Sequence, residues 1–396
     1  MMAPDILCEW TLPRGDRARI RRAGPGDAEA VRSLYLRTYG DRYGLPEVAD
    51  RERTARALQD PYYTWLVAEC QGEVVGSVVF VQDPYHRLGK TFGGVVAEGF
   101  RGQHIMPHMI EEGHRRFLAP DGPCDLLYAV VRTFVPLSFH RELKELGYVD
   151  VGIFPNVRKV REYETHGLKI RPGPTFMPLR RPRPHLIPQV KTLYDIARSR
   201  LELEEPLVEE LHLGPPPPGR LELRPFHPWE VVGGIEAQRE AARREGRLEF
   251  GFFPLHEPNL LLADLTGTVQ AFIYYQPLDG HSSLLGLVTG GLDRVEALLS
   301  VAGVCEQMGV KYLELLVPAY DPLLQAQAWQ AGFLPCAYFP GARLAEDGRR
   351  EDYVITSRTF VPLHFRGLKL TEDVKPYLLE YFKIYASFLW EELMDA

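Results

Sequence analysis

The stretch "VVAEGFRGQHIMPHMIEEGHRRF", residues 95–117, carries the clearest structural pattern in the chain. An apolar run ends at an Arg-Gly turn, and the residues after the turn place apolar side chains at helical spacing. Pro107 suits the first position of that helix. Consecutive backbone N–H groups at such a turn, together with the positive end of the helix dipole, form a site for a diphosphate. The stretch therefore predicts a strand, a turn and a helix arranged to bind an anion.

Strand and helix signals alternate on both sides of this stretch. "ARIRRA" reads as a strand and "GPGDAEAVRSLYLRTYG" as a helix, and two β-rich runs then meet at Gln71-Gly72 in a hairpin. After the opening stretch come a strand, "CDLLYAVV", a helix, "VPLSFHRELKELGY", and a last strand, "VDVGIF". The order β-α-β-β-β-α-β-α-β predicts an α/β fold in which helices cover a sheet.

Bulk composition narrows the class of protein. The chain has 396 residues, 45% of them hydrophobic, which predicts about two globular domains. A net charge of -7 argues against nucleic acid as the main partner. The five cysteines are scattered without a CxxC pair, which fits reduced thiols in the cytoplasm. Because no signal peptide and no long apolar segment is evident, we expect a cytoplasmic protein without a membrane partner.

A change of composition marks a connector between two domains. "RPGPTFMPLRRPRPHLIP" and "LGPPPPGR" are rich in proline and flank an amphipathic stretch that predicts a helix. We therefore expect an N-terminal domain over residues 1–170, a Pro-rich and helical linker over residues 171–219, and a C-terminal domain with a terminal helix over residues 220–396.

The second half repeats the first. "GYVDVGIFPNVRK" from Gly147 aligns without gaps with "GFLPCAYFPGARL" from Gly332, at an offset of about 185 residues, the scale of a duplicated domain. Chance matches among common residues are the alternative explanation. The repeat is incomplete, because the strand "SSLLGLVTGG" runs almost directly into the helix "LDRVEALLSVAGVCEQMG" with no Arg-Gly loop between them. Four aligned pairs are identical: Gly147/Gly332, Phe154/Phe339, Pro155/Pro340 and Arg158/Arg343.

Four features together resemble the GCN5-related N-acetyltransferase (GNAT) superfamily. They are the opening "IRRAGPGDAEAV", the hairpin, "VVAEGFRGQHI" and the closing "HRELKELGY", which is similar to the family's Y-x-K-L-G-F ending. The resemblance implies two tandem GNAT-like domains, each a mixed central β-sheet flanked by helices, with a degenerate C-terminal copy. It also implies transfer of an acetyl or similar group from acetyl-CoA, or another acyl-CoA, to a primary amine, without a metal.

The resemblance places the coenzyme against the opening stretch, where His104 and Met106 depart from the family pattern. That pattern is Gln/Arg-x-x-Gly-x-Gly/Ala, in which small residues let phosphates approach the backbone. The two larger side chains either turn away and leave the backbone donors usable, or fill the slot. The residues expected to contact the coenzyme are Val95, Val96, Arg101, Gly102, Gln103, His104, Ile105 and Met106.

Amine attack on a thioester needs a base and a proton donor for the thiolate. The family's donor is the Tyr of its Y-x-K-L-G-F ending, and Leu143 stands at the matching position. Candidates for the two roles are Glu98, Tyr128 and His140. Their alternative interpretations are a solvated turn carboxylate, a buried structural tyrosine and a surface histidine, respectively.

Other readings of the chain stay open or are weaker. His104, His108 and His114 lack the paired ligands of a metal site, and the basic run from Arg180 to His185 is typical of a solvated linker. An aminoacyl-tRNA-dependent transferase of GNAT-like fold and a catalytically inactive acyl-CoA-binding or sensor protein are the alternative functions. The aromatic terminal helix is suited to a homodimer or to a domain-domain surface.

Overall fold

The fold was obtained as a computed structural model that describes residues 6–40, 45–48, 50–159, 162–215 and 221–394. Residues 216–220 of the second proline run lie outside the described residues. Through the first half the elements are β1 (Ile6–Thr11), β2 (Arg17–Arg22), α1 (Ala28–Tyr39), α2 (Arg51–Ala57), β3 (Tyr63–Cys70), β4 (Glu73–Asp83), β5 (Leu88–Val96), α3 (Ile105–Phe117), β6 (Leu126–Arg132), α4 (Leu137–Glu145), β7 (Val149–Lys159) and β8 (Tyr163–Pro172).

The elements of the remaining chain continue this numbering. They are α5 (Phe176–Leu179), β9 (His185–Leu186), α6 (Pro188–Leu201), β10 (Leu207–Val208), β11 (Arg224–Phe226), α7 (Ile235–Arg244), β12 (Leu260–Ala263), β13 (Gln270–Gln276), β14 (His281–Val288), α8 (Arg294–Gln307), β15 (Tyr312–Pro318), α9 (Pro322–Gln330), β16 (Leu334–Leu344), β17 (Arg350–Thr359) and α10 (Lys375–Met394). The fold is the mixed α/β class expected from the sequence.

The chain divides into two compact units. The first unit comprises Met1–Val130, Pro136–Val149 and Lys169–Pro178, and the second comprises Val131–Val135, Asp150–Leu168 and Leu179–Ala396. This division differs from the expected boundaries because most of β7 and β8 belongs to the second unit. The boundaries at residues 170 and 220 describe the sequence repeat and stay a prediction.

The sheet of the first unit has the order β1-β2-β3-β4-β5-β6. The strands from β1 to β5 run antiparallel, whereas β5 and β6 run parallel because α3 crosses between them. Helix α3 packs closely on β4 at Gly113, where a Cβ atom would lie 2.0 Å from Cζ of Phe80. The helix is thereby fixed over β4, which pairs with the strand that precedes its loop.

Strands β5 and β6 separate after three paired positions. Leu88, Gly89 and Lys90 pair with Leu126, Leu127 and Tyr128, whereas β5 continues to Val96 and β6 to Arg132. On its other side β5 bulges against β4, because the register shifts between the pairs at Ser77 and Val79. Gly93 takes φ +64 in this bulge, a backbone conformation that suits glycine. Among the described residues, the edge of β5 next to the loop thus has no neighbouring strand on the β6 side.

Residues 221–359 follow the same element order as residues 17–172, with one helix fewer after the first strand. In the second unit β12, β13 and β14 are antiparallel, α8 follows β14, and β15 returns parallel to β14. Five residues, Thr289 to Asp293, join β14 to α8, so the direct strand-to-helix connection expected from the sequence is confirmed. The strand order in this unit is β8-β7-β16-β17-β15-β14-β13-β12-β11.

Repeat-equivalent residues face each other where β7 meets β16. The two strands carry the aligned sequences of the repeat, and they pair antiparallel with Gly152 opposite Ala337. These two residues occupy the same position in the two copies. A Cβ atom on Gly152 would lie 2.0 Å from Cβ of Ala337, so the strands approach this closely only because one of the two residues is glycine.

A buried ion pair holds the connector in the second unit. The guanidinium of Arg180 donates to both carboxylate oxygens of Asp352 in β17, and both side chains are almost fully buried. Asp352 also accepts from the hydroxyl of Tyr338 and the amide of Gly341, so its oxygens are well satisfied. The helix expected inside the connector is confirmed as α6.

The terminal helix α10 exposes part of its apolar surface. Tyr377 and Tyr381 are buried, whereas Leu379 and Trp390 are mostly exposed. The homodimer expected from this helix stays a prediction. In the part of the chain that the structure describes, no helix has the length and apolar character needed to cross a membrane.

Candidate functional site

The turn between β5 and α3 has two residues with left-handed backbone. A short 3₁₀ turn at Glu98–Phe100 follows β5, then Gly102 takes φ 72 and His104 takes φ 57 as the N-cap of α3. Histidine is among the non-glycine residues that adopt this conformation most readily. Pro107 was expected at the first helical position, which is wrong. The helix begins two residues earlier, at Ile105, because His104 already turns the chain into it.

Five consecutive amides of this turn point to no acceptor in the part of the chain that the structure describes. Within the described ranges, no hydrogen bond is made by the backbone N–H groups of residues 102–106. Pro107 has no N–H, and the amide of His108 donates to the carbonyl of His104 at 3.3 Å. The unsatisfied donors lie at the positive end of the α3 dipole, so the turn offers N–H groups to an anion.

The two substituted positions leave this cradle of amides open. Met106 is buried, and its sulfur and methyl group lie 3.4 Å from the position of a Cβ on Gly94 in β5. Ile105 is also buried and reaches Gly76 in β4 in the same way. His104 keeps its side chain exposed. Of the two readings of the substitutions, the geometry therefore favours side chains that turn away.

Arg14, in the turn between β1 and β2, holds the loop through several contacts. The backbone N–H of Arg14 donates to Oε1 of Gln103 at 3.3 Å, and its guanidinium donates to the carbonyl of Gly99 at 3.1 Å. The same guanidinium lies 4.0 Å from the ring centroid of Phe100. Gln103 is thus engaged within the protein, whereas Arg101 is exposed and donates to the carbonyl of Val96 at 3.4 Å. Arg101 is the loop cation best placed to meet an anion.

Glu142 of α4 is a neighbour of the loop that the sequence analysis missed. Partial burial raises the pKa of its carboxyl group above the usual range, while the nearby His104 acts in the opposite direction. A carboxylate next to an anion cradle opposes anion binding, and a cationic His104 would offset it. Only the fold brings these two residues together.

The predicted catalytic residues lie on three elements in different environments. Glu98 is exposed in the turn after β5, whereas Tyr128 of β6 and His140 of α4 are buried. Tyr128 is the partner of Lys90 at the last paired position before the strands separate, and the Lys90 ammonium lies 5.7 Å from its ring centroid. The surface position considered for His140 is wrong, because α4 turns this residue inward together with Leu143.

Two tyrosines of α1 hold the bulge of β5. The hydroxyl of Tyr35 donates to the carbonyl of Gly93, and that of Tyr39 donates to the carbonyl of Gly94 at 3.3 Å. Val95, just beyond, is buried and Val96 is half-buried, both paired with β4. The sequence predicted the strand and its valines, but the tyrosine contacts need the tertiary structure.

A neutral histidine lies behind the C-terminal half of α3. Burial lowers the pKa of His114 to about 3, and the positive charge of Arg171 adds to the effect. The ring lies 5.3 Å from that of Tyr148, whose hydroxyl donates to Oγ1 of Thr91 at 3.0 Å. Burial raises the pKa of Tyr148 to about 12, so this phenol stays protonated at neutral pH. In the ranges described, no cluster of three or more His, Cys, Asp or Glu side chains is arranged to hold a metal.

Comparison with known proteins gives structural neighbours only. No family model matches the chain. No curated protein sequence matches it either. An acetyltransferase of the GNAT family from Streptococcus pneumoniae is 17% identical with a TM-score of 0.35, over 39% of this chain and 99% of its own. RimL, a ribosomal L7/L12 alpha-N-protein acetyltransferase in complex with coenzyme A, is 17% identical with a TM-score of 0.35, over 43% and 98%.

A variant of the spermidine N-acetyltransferase SpeG from Vibrio cholerae is 15% identical with a TM-score of 0.35, over 40% of this chain and 96% of its own. The three neighbours are acetyltransferases, the class of protein that the loop sequence resembles.

Proposed function

We propose that the first unit binds acyl-coenzyme A, with acetyl-coenzyme A as the expected donor, and transfers the acyl group to a primary amine. The observation that carries the proposal is the row of unsatisfied amides at residues 102–106, kept open by the buried side chains of Ile105 and Met106. An exposed Arg101 supplies positive charge beside them. These groups fit a diphosphate, which coenzyme A carries.

The free edge of β5 supports the same proposal. Beyond Lys90 this strand has no partner strand on the β6 side in the described chain. The backbone groups of β5 that do not bond to Tyr35, Tyr39 or Arg101 are therefore available to an extended ligand. The arm of coenzyme A between the diphosphate and the thioester contains amides that can pair with such an edge. Binding along β5 would carry the thioester towards the place where β5 and β6 separate.

The chemistry proposed is direct acyl transfer. The amine nitrogen attacks the thioester carbonyl, a C–N bond forms, the C–S bond breaks, and the amine proton is lost as the thiolate gains one. Backbone N–H groups of the β5 edge would polarise the carbonyl. Glu98 is the candidate base, and Tyr128 and His140 are the candidate proton donors, because Leu143 carries no proton to give. These roles stay predictions.

Titration calorimetry with coenzyme A and acetyl-coenzyme A, followed by thiol release over a panel of amines, tests the proposal. Gly102→Asp and Gly102→Asn form a matched pair, since both residues tolerate positive φ and differ only in charge. We expect Gly102→Asp to weaken binding at least tenfold more than Gly102→Asn, because its carboxylate lies against the diphosphate. Absence of binding to the unaltered protein, or equal effects of the two variants, would contradict the proposal.

An acyl-coenzyme A-binding protein without turnover is the second candidate. Leu143, where the family places its proton donor, has no ionisable group and is almost fully buried. Burial raises the pKa of Tyr148, five residues further along the chain, to about 12, which makes this phenol a weak proton donor. Binding of acetyl-coenzyme A without thiol release for any amine would favour this candidate. Thiol release that depends on an amine and falls in the Glu98→Gln variant would favour the enzyme.

A further inference from the structure

The second unit contains its own pair of separating strands. β14 and β15 are paired only from His281 to Leu284 and from Tyr312 to Leu315, whereas β14 continues to Val288. The register of β14 against β13 shifts by one residue at Leu285, which places a bulge just beyond the last parallel pair. The arrangement matches that of β5 and β6, so a second cleft exists in the fold.

A segment of the chain itself occupies this second cleft. The amide of Glu249 donates to the carbonyl of Leu287 at 2.7 Å, and the amide of Leu287 donates to the carbonyl of Glu249 at 2.8 Å. The amide and carbonyl of one strand residue point to the same edge, and β13 flanks the other edge of β14. Glu249 therefore lies on the edge that faces β15, where the strands have parted.

The carboxylate of Glu249 is held where the strand leads into the helix. Its Oε1 accepts from the hydroxyl of Thr289 at 3.1 Å, and its Oε2 accepts from the guanidinium of Arg294, the first residue of α8. The helix start is closed in addition by Asp293, whose carboxylate accepts from the amides of Val295 and Glu296. At the start of α8 the Asp293 carboxylate thus accepts from backbone amides, whereas the amides at the start of α3 meet no acceptor in the described chain. The Glu249 carboxylate lies beside this helix start, held by the side chains of Thr289 and Arg294.

The neighbours of Glu249 fix the segment by packing. Leu248 lies over Gly286 of β14, where a Cβ atom would be 2.6 Å from its Cδ1. Phe250 is buried with φ 49, and the ring of Phe252 lies 4.7 Å from that of Tyr353. A buried non-glycine residue in the left-handed region persists only where its surroundings hold it. Residues 248–252 are thus held in one conformation by packing within the second unit.

We infer that residues 248–252 are a resident ligand of the second cleft, with the Glu249 backbone in the place of an extended ligand and its carboxylate in the place of an anion. Since this inference rests on the proposed function of the first unit, its consequence is one acyl-coenzyme A per chain, bound at the first unit alone. The first cleft has no such occupant among the described residues.

Binding stoichiometry tests the consequence. Titration of the full chain with coenzyme A should give one equivalent, and Gly102→Asp should weaken its binding at least tenfold more than Gly102→Asn does. Two equivalents would overturn the inference, because the second cleft would then be open, and the second equivalent would bind Gly102→Asp and the unaltered chain equally tightly. A chain that binds no coenzyme A fails the proposed function, and the inference is then decided by the next measurement.

Hydrogen exchange tests the resident ligand without any coenzyme. The amides of Glu249 and Leu287 should exchange about 100-fold more slowly than that of Gly251, because only the first two are bonded in the cleft. Glu249→Ala should lower Tm by about 2–4 °C and speed exchange at Leu287, since two side-chain anchors are lost. Glu257→Ala, on an exposed carboxylate of the same loop, is the control. Equal exchange at all three amides would overturn the inference.

Discussion

At the residue scale, His104 shows how a loop keeps its shape without glycine. Its backbone takes φ 57, the conformation that glycine would adopt at no cost, and its side chain stays in solvent. What the position requires is therefore a backbone conformation, which histidine meets more easily than a β-branched residue does. The ring lies close enough to Glu142 to act against the rise in the pKa of that carboxyl group.

Replacing His104 separates the backbone from the ring. His104→Gly should change the dissociation constant of coenzyme A by less than about threefold, because glycine adopts positive φ freely. His104→Val should weaken binding about tenfold, since a β-branched residue in this region costs about 1–2 kcal/mol. Calorimetric titration and thermal unfolding of both variants make the comparison. If glycine weakens binding as much as valine, the ring supports the site.

His114 predicts a loss of stability in acid. Its pKa is about 3 in the folded chain and near the ordinary value of 6.5 when unfolded, so protonation favours the unfolded state. The stabilisation is complete above pH 6.5 and is lost as the pH falls towards 3. Between pH 6.5 and 4.5 this group should account for roughly 2 to 3 kcal/mol of lost unfolding free energy.

Denaturant unfolding at several pH values measures this loss. The His114→Gln variant should show a shallower decline than the unaltered chain, because glutamine does not titrate. His212→Ala, on an exposed histidine, is the control and should leave the pH profile unchanged. A decline equally steep in the His114→Gln variant would assign the acid sensitivity to other groups.

Sequence reasoning at this scale succeeded where the information is local. The order of apolar run, Arg-Gly turn and apolar periodicity is contained in residues 95–117, and the strand, turn and helix follow from it. The direction of Met106 towards Gly94, the approach of Glu142 to His104 and the burial of His140 depend on distant segments. Local sequence patterns do not predict these three features.

At the element scale, the contact between β7 and β16 depends on one missing methyl group. Gly152→Ala should lower the free energy of unfolding by about 1–3 kcal/mol, because the new Cβ lies within 2.0 Å of Cβ of Ala337. The double variant Gly152→Ala with Ala337→Gly should recover most of the loss, since it moves the same methyl group to the other strand. Thermal or denaturant unfolding measures both.

Gly167→Ala in β8 is the matched control, since its Cβ would meet no atom closer than 3.9 Å. A loss in this control as large as in Gly152→Ala would mean that backbone freedom, and not the contact with Ala337, governs the effect. The repeat alignment predicted that these strands are equivalent, but not that they pair. Strand pairing across such a separation is set by the whole fold.

In the molecule as a whole, the buried ion pair between Arg180 and Asp352 holds the connector in place. Arg180→Ala should lower the free energy of unfolding by about 3–5 kcal/mol, because it leaves the fully buried Asp352 carboxylate without its cation. The adjacent Arg181→Ala removes partly exposed pairs with Asp347 and Glu351 and should cost less than about 1 kcal/mol. Similar effects of the two variants in denaturant unfolding would contradict this view.

Composition predicted the connector and its helix, but it assigned the basic run from Arg180 to a solvated linker. Arg180 is almost fully buried, so that interpretation is wrong for this residue and fits Arg181, which is exposed in part. The local sequence around Arg180 does not reveal that a distant acidic residue forms a buried ion pair with it. The buried partner, Asp352, lies in β17.

The glycine-alanine contact between β7 and β16 has a consequence for symmetry. Where aligned strands cross with the same position on both sides, two identical halves would present two identical residues to each other. Two alanines do not fit at this separation, so an identical pair would have to be two glycines. Glycine inside a strand is destabilising, because it loses more conformational freedom on folding than alanine does. When both halves belong to one chain, the two positions can mutate independently, so one can be glycine and the other alanine. Two identical subunits would carry the same residue at both positions.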